Sequence, residues 1–81
     1  MDEAIRRILA DHGRLAVPVA DLADDADLYR AGLASHASVN VMLALEDHFD
    51  VEFPEGMLRK QTFESIVAIK AALAQLDVVG S

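Results

Sequence analysis

Apolar positions recur at helical spacing in three stretches of the chain. In residues 2–13, Ile5, Ile8, Leu9 and His12 fall at i, i+3, i+4 and i+7, which predicts an amphipathic helix. Asp2 and Glu3 suit its positive N-terminal end, and Gly13 is its expected stop. Residues 14–34 carry no sustained period and contain Pro18, a group of aspartates and Gly32. They read as a long loop with a short turn near 21–30, pinned to the core by Leu15, Val17, Val19, Leu22, Leu28 and Leu33. A loop of this length in a compact domain is often functional. Residues 35–49 form the strongest expected helix, and "DVEFP" ends at Pro54. Residues 55–60 suggest a short helical turn. A last helix over 62–76 is expected, with Thr62 as N-cap and Phe63, Ile66, Ile69, Leu73 and Leu76 on one face. Residues 77–81 are expected to fray. The predicted fold is all-α: one domain spanning 1–81, with three main helices, one short helix and a long first loop.

The helix over 35–49 has more apolar surface than one buried face requires. At about 100° per residue, with Val39 at zero, Val41, Met42, Leu45 and Phe49 fall between about 200° and 300°. That arc is the expected core face. Val39 and Leu43 fall near 0° and 40°, with His36 near 60° and Asn40, Glu46 and Asp47 flanking them. An apolar pair rimmed by acids predicts a docking surface. The competing expectation is that the loop over 14–34 covers it.

Composition narrows the function classes. A chain of 81 residues buries a modest share of its surface and has little room for an enclosed active site. There is no cysteine, so disulfides, thiolate metal sites and a protein-borne thiol nucleophile are excluded. No apolar run approaches the roughly 20 residues needed to span a bilayer. The start, "MDEAIRRILADHG", has neither the basic beginning nor the apolar run of a signal peptide, and the cytoplasm is the expected location. The net charge of −7 is concentrated mid-chain, where residues 15–55 hold nine acids against Arg30 alone. Nucleic acid is therefore not an expected partner, whereas basic protein surfaces are. "DLADDADLYRAG" lacks the alternation and central glycine of a calcium loop, and His12, His36 and His48 show no ligand spacing, so no metal site is expected.

Candidate chemistry centres on Ser35, in "AGLASHASVN". As an N-cap, its Oγ would accept a backbone N–H, although Ser38 stands where a capping box places Glu or Gln. As a nucleophile it would need His36 as base. Adjacent helical residues point about 100° apart, and no G-x-S-x-G elbow is present. No catalytic residue is therefore assigned. As a modification site, an exposed hydroxyl at a helix start needs no internal base, and the positive helix end favours a phosphate ester.

The order helix, loop ending "DLYRAGLAS", helix "VNVMLALEDHFDVEFP", short helix and "TFESIVAIKAAL" resembles the acyl and peptidyl carrier proteins over nearly the whole chain. The family's G-x-D-S-L motif is matched here by Gly32, Leu33, Ala34, Ser35 and His36. The resemblance implies a helical-bundle carrier that is itself not an enzyme, with 4′-phosphopantetheine from coenzyme A attached covalently at Ser35. It implies a phosphopantetheinyl transferase as partner, an ATP-dependent ligase that loads the arm's thiol, and a downstream acceptor enzyme. Leu33, Ala34, His36, Val39, Asn40, Leu43, Glu46 and Asp47 become the expected docking residues, with no membrane partner and a monomeric state. Ala34 and His36 depart from the family's acid and leucine, which points away from the usual fatty-acid partners. The A-S-H-A-S run is similar to aminoacyl carrier proteins loaded by ligases homologous to seryl-tRNA synthetase, whose cargo is glycine or alanine. Carriage of fatty-acyl, polyketide or nonribosomal-peptide intermediates, and an unmodified helical interaction module, are the alternatives.

Overall fold

The computed structural model describes residues 2–76. Three α-helices, α1 (Asp2–His12), α2 (Ser35–Phe49) and α3 (Ile66–Gln75), carry the fold. Short 3₁₀ turns at Val19–Asp21, Glu55–Met57 and Lys60–Phe63 connect them, and no strand occurs among the described residues. Each helix buries the residues its period brings to one side: Ile5, Ile8 and Leu9 from α1, Ala37, Val41 and Leu45 from α2, Ile66, Ile69, Ala72 and Leu73 from α3. Phe53 and Phe63 close one end edge-to-face, with ring centroids 5.6 Å apart. The core is wholly apolar, with no buried polar side chain among the described residues.

The helix ends depart from expectation in three places. Gly13 stops α1, donating its N–H to the Leu9 carbonyl at 2.8 Å, yet the left-handed residue is Arg14 at φ 52°. What Gly13 supplies is room, because a Cβ there would lie 2.7 Å from the Leu9 oxygen. Thr62 does not cap the last helix. It lies in the Lys60–Phe63 turn, and Ser65 caps instead, its Oγ accepting the Ala68 N–H at 3.0 Å. The early turns of the expected 62–76 helix are thus spent on a tighter coil that seats Phe63, and α3 starts at Ile66. The expected single turn over 55–60 is likewise divided between two 3₁₀ turns. Residues 77–81 lie outside the described residues.

The long loop is tied down along its length. Val19, Leu28 and Leu33 are buried and Leu15 and Leu22 half-buried, whereas Val17 faces solvent at 40% exposure and pins nothing. His12, expected on the buried face of α1, is also exposed. The two ends of the loop cross where Ala16 donates to the Ala31 carbonyl at 2.8 Å. Leu28 donates to Glu64 at 2.7 Å, and Val67 donates to Asp24 at 3.0 Å, which binds the loop to the start of α3. From α1, the Arg6 guanidinium donates to the Val19 carbonyl at 2.8 Å and pairs with Asp24 at 2.7 Å. Asp27 Oδ1 accepts the Tyr29 N–H at 2.9 Å, shaping the turn that leads towards α2. These ties satisfy backbone groups that a loose loop would leave to water.

Candidate functional site

The approach to Ser35 is fixed from below. Leu33 is buried and donates its N–H to the Leu28 carbonyl at 3.0 Å. Gly32 takes φ +113°, where a Cβ would meet the Ala16 nitrogen at 2.8 Å, so the chain turns here only because the residue is glycine. Leu33 is therefore a core anchor. Its side chain is not on the surface, which corrects its expected place among the docking residues.

Ala34 is the N-cap of α2, in an extended conformation and without a side-chain cap. Ser35 is the first helical residue, one position inside the boundary, and its role as N-cap is excluded by that register. Its side chain is exposed, and its Oγ makes no hydrogen bond among the described residues. The local hydroxyl bond is made instead by Ser38, whose Oγ donates to the Ser35 carbonyl at 2.6 Å. The opening N–H groups of α2 have no intrahelical partner, and no acid sits in the first turn to offset their partial positive charge. A chain of net charge −7 thus leaves the end of this helix favourable to an anion. His36 is exposed and adjacent, facing another direction on the helix.

Along α2, Val39 and Leu43 are 50% and 53% exposed, so the loop does not cover them. Ala34, Asn40 and Asp47 are exposed beside them. Glu46 is half-buried and already engaged, its Oε2 accepting the Phe53 N–H at 2.9 Å. Within the expected rim of Asn40, Glu46 and Asp47, Glu46 also fastens the segment after α2. A shallow groove lined by Ile8, His12, Asn40, Leu43, Ala44, Asp47 and His48 runs between α1 and this stripe.

A second groove, of about 280 Å³, opens directly beside Ser35. Ser38, Val39 and Met42 form its α2 side, and Tyr29, Leu58, Arg59, Lys60 and Phe63 the remainder. No residue of this second wall is among the site residues expected from the sequence. A signal was present in the charge map: after Arg30, the next cations along the chain are Arg59 and Lys60.

The geometry is that of a displayed hydroxyl. Residues 3–73 match the family described as "Phosphopantetheine attachment site". The chain belongs to the phosphopantetheine-attachment family. This carrier-type chain is 53% identical, over 70 residues, to the aminoacyl carrier protein of Agrobacterium fabrum (strain C58), covering 86% of itself and 84% of that protein. It also superposes, with a TM-score of 0.89 and 50% identity, on a chain from a crystal structure of an engineered Bradyrhizobium japonicum glycine:[carrier protein] ligase complexed with carrier protein from Agrobacterium tumefaciens and AMP. That match covers 91% of this chain and 99% of the other. A chain from the Bradyrhizobium japonicum glycine:[carrier protein] ligase complexed with glycylated carrier protein aligns at 27% identity, with a TM-score of 0.75, over 88% of this chain and 95% of that one. The small helical fold expected from the sequence is thus the fold of these proteins.

Proposed function

We propose that the protein carries a small amino acid, glycine in the first place, on a 4′-phosphopantetheine arm attached to Ser35. The observation that carries this reading is the free, exposed Ser35 hydroxyl at the first position of α2, in a chain 53% identical to an aminoacyl carrier protein. The residues present fit the group. The hydroxyl is accessible, the helix end favours the anionic phosphate ester, and a groove with an apolar side opens next to it.

Ser35 Oγ attacks the phosphoryl group of coenzyme A that bears the pantetheine. The new Oγ–P bond replaces the P–O bond to the adenosine bisphosphate, which leaves. A base of the transferase takes the hydroxyl proton, since no side chain among the described residues hydrogen-bonds Ser35 Oγ. The bound arm supplies the thiol on which an amino acid is held as a thioester. The chain's own residues then position that arm. Leu33 and Gly32 fix where α2 begins, and Val39, Leu43, Asn40 and Asp47 offer a half-apolar, acid-rimmed face to the loading ligase. His36 and Ala34 edge that face. Successive enzymes must each release the carrier, so the contacts are weak and salt-sensitive. The cytoplasm, as the site of coenzyme A and ATP supply, is the proposed location.

The test offers the arm-bearing protein to a glycine:[carrier protein] ligase with ATP and, in turn, glycine, alanine, serine and a fatty acid. Intact mass reads the product. A glycyl increment larger than the others is expected. A fatty-acyl increment, or none with any amino acid, overturns the reading.

A further inference from the structure

The second wall of the groove beside Ser35 is cationic, and attachment at Ser35 does not by itself require that. We propose that Arg59 and Lys60 hold the phosphodiester at Ser35 and lay the arm along the groove, across Val39, Met42 and Leu58. The inference rests on the reading that Ser35 carries the arm.

The charge placement is selective. Both cations line the groove that Ser35 lines, in a chain of net charge −7. No carboxylate neutralises either one: the ion pairs among the described residues are Arg6–Asp24 and Lys70–Asp2, and neither Arg59 nor Lys60 takes part in them. Lys60 is held in place. Its carbonyl accepts the Tyr29 hydroxyl at 3.0 Å, and its ammonium lies 4.9 Å from the centre of the Tyr29 ring. Tyr29 is itself set by Asp27, and partial burial with two nearby acids raises its pKa, so the hydroxyl stays a donor. The first turn of α2, which carries Ser35 itself, is also free of acids.

The rest of the lining suits the remainder of the arm. Pantetheine has a geminal dimethyl group next to the phosphate, then two amides. Val39 and Leu58 are 50% and 48% exposed, large apolar side chains left uncovered beside Met42 and Phe63. Covering them with the dimethyl segment removes apolar surface from water. An anion clamped at one end and an apolar contact at the other would restrict a swinging tether while leaving its thiol end free.

The test compares wild type with the Arg59→Gln/Lys60→Gln double variant, each armed with a broad-specificity transferase and coenzyme A, with intact mass confirming one arm. NMR then reads contacts between the arm's methyls and the methyls of Val39, Met42 and Leu58, together with amide shifts over residues 58–63 on arming. The wild type is expected to show both, and the double variant to lose both while its unarmed spectrum overlays the wild type elsewhere. Raising salt to 1 M on the wild type is expected to weaken the same signals, because screening shortens to about 3 Å. Signals confined to residues next to Ser35, or unchanged in the variant and in salt, overturn the clamp with attachment intact. A wild type that takes no arm overturns attachment and the clamp together.

Discussion

Ser35 and Ser65 both stand at helix starts, and a one-residue difference in register gives them opposite work. Ser65 precedes its helix and caps it, accepting the Ala68 N–H at 3.0 Å. Ser35 lies inside its helix, and its Oγ bonds to nothing among the described residues. Ser65→Ala is expected to lower stability by about 1 kcal/mol, read from the urea unfolding midpoint. Ser35→Ala is expected to change it by no more than about 0.5 kcal/mol, since alanine suits a first helical turn. Gly32 is the other sensitive position. Gly32→Ala places a Cβ 2.8 Å from the Ala16 nitrogen at a φ of +113°, and a loss of more than about 1 kcal/mol is expected in the same assay.

At the scale of elements, α2 separates the residues that hold the bundle from those that face outward. Val39→Asp and Leu43→Asp are expected to weaken ligase loading at least several-fold, read as loading rate at limiting carrier, with the thermal midpoint near wild type. A collapse of the midpoint would show that the stripe is core after all. Glu46→Ala behaves differently, because it strands the Phe53 N–H. A stability loss of about 1–3 kcal/mol is expected there besides any effect on loading. Much of this element was legible in the sequence. The bounds 35–49 and the split between Val41/Leu45 and Val39/Leu43 follow from one period, which survives because α2 packs along a single side. Two things were not legible. Thr62 and Ser65 are equally good caps by type, and only the tertiary demand to bury Phe63 decides between them. Leu33 is expected both to pin the loop to the core and, from its neighbours in the motif, to dock partners, and only the folded chain, where it is buried, decides for the first.

Across the whole molecule, the apolar core carries the fold and charge acts at the surface. The Asp2–Lys70 pair, 2.6 Å apart, joins the first helix to the last. The Lys70 hydrogen bond holds the Asp2 carboxyl below its ordinary 3.8, and Asp2 in turn raises Lys70 above 10.5. The contribution of Asp2 is present above 3.8 and fades as pH falls through its lowered value. That of Lys70 is present below 10.5 and fades as pH rises through its raised value. The thermal midpoint of Lys70→Gln should therefore fall below that of wild type between these limits, with the gap closing outside them and in high salt. The pair is exposed, so the gap should be small. The net charge of −7 should make ligase loading salt-sensitive, with KM for the carrier rising as salt is added while kcat changes little.

Whether one exposed hydroxyl carries the arm is read by intact-mass analysis after incubation with a broad-specificity phosphopantetheinyl transferase and coenzyme A. A single phosphopantetheine increment is expected on the wild type and none on Ser35→Ala. An unmodified wild type, or an increment that persists in Ser35→Ala, would contradict attachment at Ser35.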